Sequence, residues 1–234
     1  MLRSLLLLGA LVTPAAEVHA ATTLADTLAI MAPAASPNVI RDALQAMSCA
    51  IEHGGPQASR LAVIDYSLAS VEPRLWVFDL GQEQLLYAEL VAHGRGSGEN
   101  FATRFSNDPE SRASSLGLFR TLDAYDGHNG YSLRMDGLEP GFNDLALPRA
   151  IVMHGAAYVD ASFAQSAGRL GRSWGCPAVR REIARSLIDT LKGGQYVFAY
   201  YPDPIWLAAS PMLHCDSGMD FVALALAPVR VGPN

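Results

Sequence analysis

Residues 151–155 read Ile151-Val152-Met153-His154-Gly155, and residues 173–177 read Ser173-Trp174-Gly175-Cys176-Pro177. The histidine ends an apolar run, and the cysteine sits on a short glycine turn 22 residues later. These are the residue types of a thiol nucleophile and its base, because the thiolate is the reactive form and an imidazole can take the proton. A helix expected just after Cys176 would direct its positive end at the sulfur and lower the pKa of the thiol. The alternatives are a small buried cysteine and a structurally hydrogen-bonded histidine.

The hydrophobic pattern around this pair predicts a mainly β domain. Ser36-Pro37 is typical of a helix start, and apolar residues at helical spacing run from there to Gly54-Gly55, with a shorter helix over 22–31. A second amphipathic helix covers 183–191. Short apolar runs bounded by turn residues predict strands over 61–66, 74–80, 85–93, 116–121, 131–138, 150–154 and 195–201. The long polar segment 94–115 between them is expected to be functional.

The first twenty residues are typical of a secretory signal peptide. One positive charge at Arg3 precedes the apolar run from Leu5 to Val12, and small residues follow at Val18 and Ala20. Such a segment is removed on export, so residues 1–20 are left out of the fold, and the expected location is the periplasm. The apolar run is too short to span a bilayer as a helix, so no stable membrane insertion is expected after cleavage.

The composition favours one folded domain and disfavours nucleic-acid binding. Half of the residues are hydrophobic and 17% are charged, which provides a sizeable core. The net charge is −6 with a pI near 5.4, and no basic run is present. No spacing typical of a metal site occurs, so neither a metal nor another cofactor is expected. The oligomeric state is not predicted.

Three cysteines in an exported chain leave at least one free thiol. Cys49 and Cys215 lie far from the Cys176 turn, and an oxidising compartment would let these two pair as a disulfide. The bond would tie the N-terminal helix to the C-terminal tail and leave Cys176 free. The alternative is two buried structural thiols.

The same motifs resemble the signature of the YkuD-like murein L,D-transpeptidase catalytic domains. The match includes residues 151–156 and 171–179, and it is supported by Arg74-Leu75-Trp76-Val77, Val91-Ala92-His93-Gly94, Phe105-Ser106-Asn107, Ser114-Ser115-Leu116-Gly117 and Tyr131-Ser132-Leu133-Arg134. The resemblance covers roughly residues 60–207 in the family's order. The chain departs from the commoner pattern in having Trp174 where a second histidine is usual and Ala178 where a polar residue is usual.

The resemblance implies a fold and a set of domain boundaries. The fold would be a mixed β-sandwich of the L,D-transpeptidase catalytic type, with an N-terminal helix and a short helix after the catalytic cysteine. The expected organisation is a signal peptide over 1–20, a helical segment over 21–58, the catalytic domain over 59–207 and a tail over 208–234.

The resemblance also implies roles for the residues of the motif. Cys176 would attack a peptidoglycan stem peptide and His154 would be its base, with backbone amides at Trp174 and Gly175 forming the oxyanion hole. The residues expected to contact substrate are Gly155, Arg172, Ser173 and His128.

Three functions remain open at the level of the sequence. The first is a cysteine-dependent L,D-transpeptidase that cross-links the cell wall through a thioester acyl-enzyme. The second is an L,D-carboxypeptidase or amidase that hydrolyses peptidoglycan-linked peptides on the same scaffold. The third is a wall-binding module without chemistry.

Overall fold

A computed structural model describes residues 23–215, which form a mainly β fold with five helices among them. The eight strands are β1 (Arg60–Asp65), β2 (Leu75–Asp79), β3 (Gln84–Glu89), β4 (Gly117–Gly127), β5 (Gly130–Gly137), β6 (Val152–Ala156), β7 (Ala178–Arg180) and β8 (Tyr196–Tyr200). The helices are α1 (Leu24–Met31), α2 (Pro37–Glu52), α3 (Ala161–Ala167), α4 (Arg181–Leu191) and α5 (Pro204–Ala209).

All eight strands belong to one hydrogen-bonded sheet in the order β3-β2-β1-β8-β4-β5-β6-β7. The sheet curls until its two edges meet. Ala92, just after β3, donates its N–H to the Ala178 carbonyl in β7 at 2.8 Å and accepts the Ala178 N–H at 3.3 Å. Arg180 in β7 also forms an ion pair with Glu89 in β3, at 2.7 Å. The two layers of the expected β-sandwich are therefore the two halves of one curled sheet.

Helix α4 packs on this curled sheet with one face and exposes the other. It contacts β1, β4, β5, β6 and β7, which lie on both halves of the sheet. Its buried residues, Ala184, Leu187, Ile188 and Leu191, are spaced to form one apolar face. The sequence pattern therefore produces a helix whose apolar side is covered by the sheet on which the candidate histidine lies.

The two N-terminal helices cover another part of the sheet. Helix α1 begins with a capping box between Thr23 and Asp26, and helix α2 begins at Pro37, a residue suited to the first helical turn. Helix α2 contacts β1, β8 and β4 through its buried apolar face, and α1 packs on α2. The N-terminal helical segment thus shares its core with the sheet.

A disulfide joins Cys49 in α2 to Cys215, with a Cα–Cα distance of 5.7 Å. Cys176 is the free cysteine and is buried. A cross-link that closes a loop of this length stabilises the fold by about 2–5 kcal/mol, chiefly by restricting the unfolded chain. The C-terminal end of the described chain is also anchored by Glu139, which is buried and accepts the Trp206 Nε1–H at 2.8 Å.

The predicted fold class is confirmed, and most element boundaries agree within a few residues. Three short elements were not predicted: α3, α5 and the three-residue strand β7. The helix predicted after Cys176 exists, but β7 separates its first residue, Arg181, from the cysteine. The predicted signal peptide and the tail beyond Cys215 lie outside the described residues. Within residues 23–215, no helix is long and apolar enough to cross a membrane.

The cysteine pairing predicts a thiol count of one. Titration of the unfolded, unreduced protein should label Cys176 alone, and prior reduction should raise the count to three. The Cys49→Ala/Cys215→Ala double variant should unfold with a free energy lower by about 2–5 kcal/mol. Three thiols without reduction would contradict the pairing, and labelling at Cys49 or Cys215 would identify a different free thiol.

Candidate active site

The pairing of β6 with β7 brings His154 and the Cys176 turn together. These two short strands run parallel, and His154 lies opposite Ala178 in their register. Cys176 precedes Ala178 by two residues, so the register that places Ala178 beside His154 also places the cysteine at the same end of the pair. Both side chains are largely buried, with 8% of Cys176 and 5% of His154 exposed.

The cysteine turn is held by Ser173 and Ser114. Ser173 Oγ donates to the Cys176 carbonyl at 2.6 Å and accepts the Gly175 N–H at 3.1 Å. Ser114 Oγ donates to the Gly175 carbonyl at 3.0 Å. Gly175 has φ +122°, and a Cβ there would lie 2.8 Å from the Ala113 carbonyl oxygen, so only glycine fits this turn.

Burial raises the pKa of the Cys176 thiol above its usual range. The Val152 N–H, 3.5 Å from Sγ, and the positive charge of Arg149 act in the opposite direction but do not outweigh the loss of solvation. The sequence-based expectation of a thiol pKa lowered by the following helix is therefore wrong. The resting cysteine is a protonated thiol and needs a base.

His154 has the protonation state that such a base requires. Its Nδ1 lies 3.1 Å from the Gly155 carbonyl oxygen, and a carbonyl can only accept. Nδ1 therefore carries the proton in the neutral ring, which leaves the lone pair on Nε2. Burial lowers the pKa of His154, so the ring stays neutral at neutral pH.

Gly155 contributes to the site through its backbone. Its carbonyl holds the His154 ring, and a Cβ at this position would lie 2.7 Å from the Cβ of Ala184 in α4. The glycine thus lets α4 pack directly on β6 behind the histidine. Gly155 was predicted to contact substrate, and it does line a cleft, but its carbonyl also orients the histidine.

Cys176 and His154 line one cleft of about 420 Å³, which we call the cysteine cleft. The predicted substrate-contacting residues His128 and Arg172 also line it, together with Ser173 and Trp174. His128 belongs to the two-residue turn between β4 and β5. Arg172 pairs with Glu99 at 2.6 Å. The Trp174 side chain is 68% exposed and carries the Arg112 guanidinium over its ring at 4.9 Å.

A second cleft of about 580 Å³ adjoins the first, and we call it the hairpin cleft because the turn between β4 and β5 forms one wall. The two clefts share four lining residues: His128, Asn129, His154 and Tyr158. His154 can therefore serve a group bound in either cleft.

The backbone amides of the cysteine turn differ in their availability. The Gly175 N–H, predicted for the oxyanion hole, is engaged by Ser173 Oγ. Within the described chain, the Trp174 and Cys176 amides make no hydrogen bond to another residue. These two amides are therefore the donors free to stabilise a developing oxyanion.

One set of side chains in residues 23–215 is close enough to hold a metal ion: Cys49, His53 and Cys215. The two sulfur atoms of this set are bonded to each other, so they are not available as thiolate ligands. His128, His154, Cys176 and His214 do not form such a set within the described residues.

Sequence reasoning missed Arg149 and Tyr158, which also line the cysteine cleft. Burial raises the pKa of Tyr158 to about 12, so its hydroxyl stays protonated. Neither residue belongs to the motif. The one local signal is that both closely flank the apolar strand that carries His154.

The chain belongs to the L,D-transpeptidase catalytic-domain family, whose model matches residues 31–200. This confirms the resemblance carried by the two motifs, and the match begins early enough to include α2. A comparison with curated proteins gave no match.

Several solved structures are similar to this chain at low identity. An L,D-transpeptidase from Mycobacterium smegmatis is 15% identical, with 62% of this chain and 59% of that chain covered and a TM-score of 0.39. One from Stackebrandtia nassauensis is 13% identical, with coverage of 71% and 68% and a TM-score of 0.40. L,D-transpeptidase 1 of Mycobacterium tuberculosis is 13% identical, with coverage of 61% and 62% and a TM-score of 0.35.

The two hydrogen bonds of Ser173 predict a specific defect in Ser173→Ala. The Gly175 N–H and the Cys176 carbonyl lose their partner, so the free energy of unfolding should fall by about 1–3 kcal/mol, as chemical denaturation would measure. The turn should also loosen, and the rate of Cys176 alkylation should change. Ser166→Ala, which removes a hydroxyl from an exposed helix, is the matched control and should leave both quantities near wild type. Equal effects of the two variants would show that Ser173 does not hold the turn.

Proposed function

We propose that this protein is a cysteine-dependent L,D-transpeptidase that acts on peptidoglycan stem peptides through a thioester acyl-enzyme. The observation that carries the proposal is the 3.1 Å contact between His154 Nδ1 and the Gly155 carbonyl oxygen, from which the tautomer follows. With Nδ1–H donating to the Gly155 carbonyl, Nε2 offers its lone pair in the cleft that Cys176 also lines. A protonated nucleophile and a neutral base are thus the resting pair, as general-base activation requires.

The acylation step moves one proton twice. His154 Nε2 takes the proton from Cys176 Sγ as the sulfur bonds to the carbonyl carbon of the third stem residue. The carbonyl electron pair moves to oxygen, where the Trp174 and Cys176 amides donate hydrogen bonds. The C–N bond then breaks, and the leaving amine receives the proton from Nε2. The product is a thioester on Cys176.

The second half of the reaction runs in reverse with a new amine. An amine from another stem peptide gives its proton to His154 Nε2 and bonds to the thioester carbon. The C–S bond breaks, and the sulfur recovers the proton. Water in place of the amine gives hydrolysis, which is the carboxypeptidase outcome. The hairpin cleft supports the amine, because it provides a second compartment that also has His154 in its wall.

The proposed site of action is the periplasm, reached through cleavage of residues 1–20. The apolar run with a small-residue cleavage site supports export. The Cys49–Cys215 disulfide supports an oxidising compartment.

Incubation of the purified protein with a disaccharide-tetrapeptide, followed by mass spectrometry, tests the proposed reaction. Cross-linked dimers that have lost one terminal residue support transpeptidation. Shortened monomers alone would replace it with the hydrolase. Unchanged substrate, together with the absence of a covalent adduct with a carbapenem, would instead indicate a wall-binding module without catalytic activity.

The nucleophile assignment predicts that Cys176→Ala abolishes both acylation and turnover. The substitution removes only the sulfur, so the free energy of unfolding should change by no more than about 1–2 kcal/mol. Mass spectrometry after carbapenem exposure measures acylation. Cys49→Ala/Cys215→Ala is the matched control and should still be acylated. Turnover by Cys176→Ala at the wild-type rate would exclude the thioester mechanism.

The base assignment predicts a pH-dependent loss in His154→Gln. General-base catalysis typically raises a reaction rate about 10²–10⁴-fold, so the acylation rate near neutral pH should fall by that factor. The loss should shrink only at pH values above the ordinary cysteine pKa of about 8.5, because burial raises the pKa at which this thiol ionises unaided.

In the wild type, the lowered His154 pKa keeps the ring neutral to lower pH. The acid limb of the rate profile should therefore lie below the ordinary histidine value of about 6.5. An acid limb above 6.5 would contradict the assignment, as would a fully active His154→Gln enzyme.

A further inference from the structure

Arg149 lines the cysteine cleft just before β6 and binds the polar segment behind the cysteine turn. Its Nη1 donates to the Ser106 carbonyl at 2.8 Å and to Ser115 Oγ at 2.7 Å. Its Nη2 donates to the Ala113 carbonyl at 2.8 Å and to Ser111 Oγ at 3.2 Å. All four acceptors are neutral. The guanidinium therefore holds segment 106–115 in place without being neutralised by it.

The charge of Arg149 has no carboxylate partner. Within residues 23–215 it forms no ion pair, and Asp108 acts on it only through longer-range attraction. Arg172, the other arginine of the cysteine cleft, is paired with Glu99 at 2.6 Å. Arg149 thus supplies the uncompensated positive charge of this cleft. A half-buried arginine keeps its charge even though burial lowers its pKa.

The guanidinium is next to the cysteine turn. A Cβ built on Gly175 would lie 3.4 Å from Arg149 Nη2, and Gly175 immediately precedes the nucleophile. The charge of Arg149 also opposes the burial effect on the Cys176 pKa. Position and sign therefore both favour a negative charge on the sulfur.

We propose that Arg149 is a positioning residue for Cys176. It clamps segment 106–115 behind the cysteine turn, and its unpaired charge stabilises the sulfur after the proton has passed to His154. This inference rests on the proposed function, because it gives Arg149 a part in that same acylation step. Arg149 forms and breaks no bond in this step, and it neither gains nor loses a proton.

Other titratable or charged groups also lie around Cys176. His154 lies on β6, His128 lies on the turn between β4 and β5, and Arg172 lies just before the cysteine turn. Tyr66 and Tyr158 complete the set, and a negative charge on the sulfur would favour the protonated form of both hydroxyls. The variants below leave all of these residues unchanged.

The pH dependence of Cys176 alkylation by iodoacetamide tests the inference on the full, disulfide-intact chain. In Arg149→Met, the midpoint pH should rise, and the alkylation rate at pH 7 should fall about 10-fold for each pH unit of that rise. Arg149→Lys keeps the charge and should restore most of the rate. Arg104→Met removes an exposed arginine two residues before this segment and should leave the midpoint unchanged. An unchanged midpoint in Arg149→Met, or an equal rise in Arg149→Lys or Arg104→Met, would overturn the proposal.

A second pair of variants tests the charge without removing the buried side chain. Ser111 is half-exposed and accepts a hydrogen bond from Arg149, so Ser111→Asp would place a carboxylate on the guanidinium. Ser111→Asp should raise the alkylation midpoint, and the similarly shaped Ser111→Asn should not. Identical midpoints would overturn the proposal even where Arg149→Met fails to fold.

The alkylation assay separates this inference from the proposed function because it needs no stem peptide. An Arg149-dependent midpoint in a protein that turns over no muropeptide would support the role of Arg149 and reject the reaction. Turnover of muropeptide with an Arg149-independent midpoint would support the reaction and reject the role.

Discussion

The double pairing of β7 is the constraint on which the rest of the structure depends. This strand has three residues, yet it lies parallel to β6 on one side and exchanges two hydrogen bonds with Ala92 on the other. The first pairing brings the cysteine turn beside the histidine strand. The second links the two edges of the curled sheet through one bridge, Ala92 to Ala178. One short strand therefore completes the fold and assembles the site at the same point.

Burial determines the electrostatics of the site more strongly than any single partner. Removal from water disfavours charge on both groups, so the Cys176 thiol keeps its proton and the His154 ring stays neutral. At neutral pH, a charged sulfur then forms mainly during the reaction. The amides of the turn and the fixed charge of Arg149 are already oriented when that charge appears, which is how a preorganised site avoids reorganisation.

Residues with rare chemistry and a local signal could be singled out from the sequence. The pattern pointed to Cys176 and His154, which line one cleft, and to the apolar stripe of α4. The strand β7 was missed because three residues cannot display a periodicity. The direction of the thiol pKa was wrong because the helix was expected at the cysteine, whereas burial, which depends on contacts across the sheet, dominates. Arg149 was missed because its partners lie 34 to 43 residues away in the chain.

The protonated resting state of Cys176 also bears on how this thiol survives in a protein that contains a disulfide. Oxidation to sulfenic acid and attack on another disulfide both start from the thiolate. A buried thiol with a raised pKa presents little thiolate to peroxide or to the Cys49–Cys215 bond. The environment that makes Cys176 dependent on a base for its reaction thus also slows its oxidation and keeps it from exchanging with the disulfide.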